Sequence, residues 1–226
     1  MLAAALGGAP ALATGAGDPA TPGADSLVAA GERWWTGSPD PGNPVACVTC
    51  HFDPAATRGW AASFPKVRPL PPPHRRVMTL LQANAEAVAL HYRVLDQRPA
   101  ATAITAYLTF LGRDVPVAPG VAEGQPVFPE RIRLLVRSVQ RGEALFAARC
   151  RSCHDARGAA AAVPGFPRVA GARRESLESF LEGHRTIGLP IAWDTPAMAD
   201  LVAYLMAQLR GRPVGLRPAV HAEGRP

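Results

Sequence analysis

The chain carries Cys-x-x-Cys-His twice, as "NPVACVTCHF" at 43–52 and as "FAARCRSCHD" at 146–155, and the two copies use all four of its cysteines. Two thiols three residues apart, followed at once by an imidazole, make a compact donor set that has to be matched by something it can hold. A Cys₄ zinc site normally separates its cysteine pairs by ~15–20 residues, whereas these pairs stand at 47/50 and 150/153. Disulfides suit an exported protein. Neither chemistry calls for a histidine directly after the second cysteine, still less twice.

Covalent haem does call for it, since two thioethers fix the macrocycle and the adjacent imidazole reaches the iron from one face. The residues therefore assign Cys47, Cys50, Cys150 and Cys153 as thioether donors. His51 and His154 become the proximal ligands of two covalently bound haem c groups.

The motifs sit in a longer repeat. Gly31-Glu32-Arg33-Trp34-Trp35, the first motif, Phe64-Pro65-Lys66-Val67, a helical stretch ending at His91 and "AITAYLTFL" (103–111) follow one another in the first half. Gly142-Glu143-Ala144-Leu145-Phe146, the second motif, Phe166-Pro167-Arg168-Val169, a helical stretch ending at His184 and "ADLVAYLMAQL" (199–209) follow in the second. Five landmarks in one order mark an internal repeat. Between the copies, "RDVPVAPGVAEGQPVFPE" (113–130) is aperiodic and rich in Pro and Gly, as a linker is. The expected plan is a first haem-binding domain over 20–112, a linker over 113–130, a second over 131–212 and a flexible tail over 213–226. Units of about 85–95 residues bury little core unaided, so each would gain from a large apolar prosthetic group.

Local patterns predict helices throughout. Thr195-Pro196 supplies N-cap and N1 for the last helix, with Leu201, Tyr204 and Leu205 on one face. Thr79 and Gln82 form a capping box opening a helix that runs to His91. No alternating run suggests a sheet.

At this point the chain resembles the class I c-type cytochromes, in a tandem di-haem form, over about residues 28–112 and 134–210. The resemblance implies an all-α fold of two cytochrome c-like domains in tandem. It also implies that the carbonyls of Pro65 and Pro167 hold the proximal imidazoles. That family usually supplies a distal methionine before the last helix, but "GLPIAW" (188–193) has Leu189 in that place. Met198 and Met206 lie within the last helix and are expected to pack.

Histidines offer an alternative. Leu177, Phe180, Leu181 and His184 share one helical face, and Leu80, Ala83, Ala87 and His91 form a similar stripe. His184 is the expected distal ligand of the second haem. For the first, His91 ranks ahead of Met78 and His74. The segment from His184 to Leu205 is also similar in spacing to the oxygen-binding class I cytochromes that carry a distal asparagine at this helix end; imidazole is the stronger ligand.

Iron with two protein ligands lacks a vacant site, which favours an electron carrier over an enzyme. The alternative is a protein binding O₂, NO or CO, or a di-haem oxidoreductase, with a displaceable distal ligand. The net charge of +6 does not indicate nucleic acid, because its arginines are scattered without interleaved aromatics. It suits redox partners with acidic docking surfaces. The start, "MLAAALGGAPALATGAG" (1–17), is similar to the end of a secretory signal or is a disordered segment. Export to the periplasm as a soluble protein is the expectation, with no membrane span.

Overall fold

In the computed structural model the described residues are 24–40, 42–68, 76–121, 126–154, 176–184 and 188–214. The expectations for residues 1–17, His74, Pro167 and most of the tail lie outside them.

The chain is mostly helical: α1 (Ala24–Thr36), α2 (Cys47–Cys50), α3 (Pro54–Arg58), α4 (Trp60–Ser63), α5 (Leu80–Tyr92), α6 (Arg98–Leu111), α7 (Pro129–Arg149), α8 (Leu177–Gly183) and α9 (Pro196–Gln208). Two helix pairs carry the architecture, α1 against α6 and α7 against α9. Both cross where a glycine removes the side chain that would keep the backbones apart. A Cβ on Gly31 would stand 2.0 Å from the Ala103 carbonyl oxygen and 2.7 Å from Tyr107 Cβ. A Cβ on Gly142 would stand 1.9 Å from the Asp200 carbonyl oxygen and 2.9 Å from Tyr204 Cβ. The same small residue meets the same aromatic in both halves, so the repeat extends to how the helices touch.

Aromatic contacts repeat as well. Trp35 packs on Tyr107 with ring centroids 6.2 Å apart, and Phe146 packs on Tyr204 at 5.3 Å. The second pair has an addition: Arg141 bonds Asp200 through two nitrogens at 2.7 and 2.8 Å, and Ser138 donates to the same carboxylate. This polar pin joins α7 to α9.

Helix ends follow the sequence. Thr79 accepts from the Gln82 N–H at 3.2 Å while the Gln82 side chain accepts from the Thr79 N–H. Thr195 accepts from the Met198 N–H, with Pro196 following at the first helical position. Arg93 closes α5 in the left-handed region at φ 53°, a conformation that commonly ends helices.

Two short strands correct the expectation of helices alone. β1 (Lys66–Arg68) and β2 (Arg76–Met78) pair antiparallel with Val67 opposite Val77. Three residues per strand are too few to register as alternation. The hairpin forms because both valines lie against Leu135 of α7 and Ala203 of α9, while Arg76 is exposed and Arg68 is half-buried.

The halves meet through polar contacts around α5 and α8. Gln82 donates to the Trp193 and Thr195 carbonyls at 2.9 and 3.0 Å. Arg98 bonds Ser179 and Glu182 and lies over the Trp193 ring. The expected linker is knitted to the far end of the chain: Asp114 and Val117 donate to the Val214 and Arg212 carbonyls, and Val214 donates back to Val115. Val117 and Val214 are buried, so Val214, expected in the tail, packs against the connector. No helix among the described residues is long and apolar enough to cross a membrane.

Candidate functional site

Each Cys-x-x-Cys-His folds as a single turn. In the first, Cys47–Cys50 form α2 and the His51 N–H donates to the Cys47 carbonyl at 2.9 Å. In the second, α7 ends at Arg149, and the His154 N–H donates to the Cys150 carbonyl at the same distance. A helical turn puts residues three apart on one side, so each pair of sulfurs faces one way beside its imidazole. None of the four cysteines is joined in a disulfide. Among the described residues no three His, Cys, Asp or Glu side chains converge to hold a bare ion.

His51 stands at the edge of a cavity of about 1070 Å³ whose wall also includes Cys47, Cys50 and His91. This exceeds the usual 300–1,000 Å³ of a small-molecule site. Apolar side chains such as Trp35, Phe64 and Val88 make up much of the wall, and connector residues 114–116 and 126–128 close part of it. Trp35 stacks on His51 at 5.9 Å and Trp60 meets it edge-on at 4.9 Å. Burial lowers the His51 pKa, and the nearby charges of Arg68 and His91 lower it further. All three causes favour the neutral ring that can bind a metal.

The cavity wall is cationic on one side. Lys66 donates to Ser63 at 3.1 Å and lies over Phe64 at 4.4 Å. Burial, then the charge of Arg68, brings its pKa down to about 8. Arg68 Nε is buried without a hydrogen-bond partner among the described residues.

His91 and Met78 are placed differently. His91 is exposed in the last turn of α5 and contributes to the cavity wall. Met78 is wholly buried in β2, opposite Lys66, and is absent from that wall. Pro65 is buried immediately before β1.

In the second half the structure brings His184 to His154. Their ring centroids lie 5.8 Å apart at an interplanar angle of 50°. His184 is the C-cap of α8 and packs on Phe180 at 5.0 Å. Phe146 also lies beside His154, at 6.3 Å, as Trp35 lies beside His51. The Nδ1 of His154 is buried with no partner among the described residues. Leu189, the residue in the methionine's place, is 81% exposed, and its carbonyl accepts from Arg149 at 2.7 Å.

Sequence reasoning missed Tyr92 and Asn43. The Tyr92 hydroxyl donates to the Trp34 carbonyl at 2.6 Å, accepts from the Cys47 N–H at 3.2 Å and lies 3.3 Å from the Cys47 sulfur. Burial pushes both groups up, the Cys47 thiol and the phenol. The Asn43 amide donates to the His91 carbonyl at 2.7 Å. Position gave the only signal for either: one follows His91, the other precedes the first motif.

The fold is shared with a solved structure. Among solved structures the chain is similar to one described as "Crystal structure of SoxXA from P. pantotrophus", with a TM-score of 0.61 and 14% identity over 84% of this chain and 76% of that one. No protein-family profile matches the chain. No curated protein matches it significantly.

Proposed function

We propose that this chain is a di-haem c-type cytochrome, two class I-like units in tandem, that carries electrons between periplasmic redox partners. Cys47 and Cys50 hold one haem with His51 as proximal ligand, and Cys150 and Cys153 hold the other with His154. His184 is the distal ligand of the second haem and His91 that of the first.

The observation that carries this reading is the facing pair His154 and His184. Two imidazoles bound to opposite sides of one metal at about 2 Å each have ring centres about 6 Å apart, and these stand at 5.8 Å. The Nδ1 of His154, buried without a partner among the described residues, leaves a donor for the carbonyl that a metal-bound imidazole normally takes. In the first unit the large cavity between Cys47, Cys50, His51 and His91 supports the same arrangement. Its absence from that wall puts Met78 behind His91.

Bound haem would supply one-electron redox chemistry, with imidazole pairs giving lower potentials than His/Met. The protein's part would be to supply two imidazoles to each metal and to exclude water with Trp35, Trp60 and Phe146. A site closed in this way favours electron transfer over substrate chemistry.

The test is a near-infrared and paramagnetic-resonance spectrum of the oxidised, fully matured protein, with haem content measured alongside. Two haem c per chain, both low-spin and without a sulfur-to-iron band, are expected. Absence of bound porphyrin, or high-spin iron in both units, would overturn the reading.

A further inference from the structure

His91 is poorly held by its own helix. It sits exposed in the last turn of α5, where the final carbonyls have no partner within the helix. Unlike His184, with Phe180 against its ring, it has no ring contact among the described residues. Two side chains nevertheless tie this end of α5 down, and both lead to the segment that bears the first thiol pair.

Asn43, four residues before Cys47, donates its amide to the His91 carbonyl at 2.7 Å, while its own side-chain oxygen accepts from the Val45 N–H at 3.2 Å. Tyr92, next to His91, is 4% exposed. Its hydroxyl joins the Trp34 carbonyl on α1 to the Cys47 backbone N–H, at 2.6 and 3.2 Å, and its ring packs on Trp34 at 5.8 Å. The helix end carrying His91 is thus fastened to α1 and to both sides of the turn leading into Cys47.

We infer that Asn43 and Tyr92 are positioning residues that hold His91 across the cavity from His51, so that the segment attaching the first haem also sets the reach of its distal ligand. The inference rests on the reading that His91 binds the first iron. Neither side chain touches the metal. Each removes freedom from the backbone on which the ligand stands, so that ligation costs less ordering.

The test uses the full-length, matured protein and carbon monoxide as a probe of a vacant iron position. Each lost hydrogen bond should shift the balance between bound and detached His91 about five-fold. Asn43→Ala and Tyr92→Phe should therefore each raise the carbon monoxide-accessible fraction about five-fold, saturating at one iron per chain. The double variant should exceed both. Both haems should remain attached. If the variants lower the melting temperature but leave carbon monoxide binding and spin state as in the parent, the pair is merely structural and the inference fails. Because Asn43 is only half-buried, its variant reports even if Tyr92→Phe folds poorly. A sulfur-to-iron band in the unaltered protein would instead remove the His91 reading itself, and is seen without any variant.

Discussion

Glu178, on α8, accepts a hydrogen bond from the backbone N–H of Leu81, in the first turn of α5, and another from the Thr79 hydroxyl. A carboxylate from the second half of the chain thereby helps cap a helix of the first, where the helix dipole favours negative charge. It is fully enclosed, and burial raises its pKa despite these bonds.

That shift fixes the sign of a pH effect. A carboxyl whose folded pKa lies above its unfolded value of about 4.5 binds more protons folded than unfolded. Stability therefore falls as pH rises from about 4.5 towards the folded pKa, then levels off. Glu178→Gln should flatten that decline and leave the variant relatively more stable at pH 8 than at pH 5. Urea unfolding at the two pH values checks this; an unchanged slope would mean that the carboxyl titrates normally.

The two helix crossings should be intolerant of a single methyl group. Gly142→Ala and Gly31→Ala place a Cβ about 2 Å from a backbone carbonyl oxygen that has no side-chain freedom to yield. Each should cost about 2 kcal/mol or more, within or above the range for overpacked cores. Denaturant titration would show it, and a cost under about 0.5 kcal/mol would mean that the helices can part freely.

Distal ligation should divide by residue. His184→Ala should open one iron per chain to carbon monoxide, and His91→Ala the other. Met78→Leu, a near volume-conserving change at a buried site, should leave both spectra unchanged and cost less than about 1.5 kcal/mol. Loss of low-spin signal in Met78→Leu would transfer the first ligand to sulfur.

Val214 is fully buried and bonded to the connector. Val214→Ala should destabilise the protein by about 1–2 kcal/mol through lost contacts and the space left behind. A melting temperature unchanged within error would return this position to a free tail.

Much of this organisation is legible before any coordinates. Gly31 and Gly142, the Thr79–Gln82 box, Thr195-Pro196 and the two thiol motifs are local signals, and each reports an interaction closed within a few residues or a backbone approach that only glycine permits. What stayed hidden depends on partners distant along the chain. Val115 and Val117 look like linker residues because the segment they meet lies at 212–214. Val67 and Val77 gain their meaning only from Leu135 and Ala203. Glu178 lies on a helix whose sequence stripe is apolar, and nothing nearby announces that α5 begins beside it. Tyr92 carries no local signal, since its Trp34 and Cys47 contacts lie across the fold.

The pairing of 115–117 with 212–214 has one further consequence. A connector left loose would let the two thiol-bearing turns wander, and any exchange between them would wait on chance encounters. With 115–117 stitched down, that part of the connector cannot act as a pivot, and on the proposed reading exchange between the two sites would be paced more by distance and driving force than by tumbling.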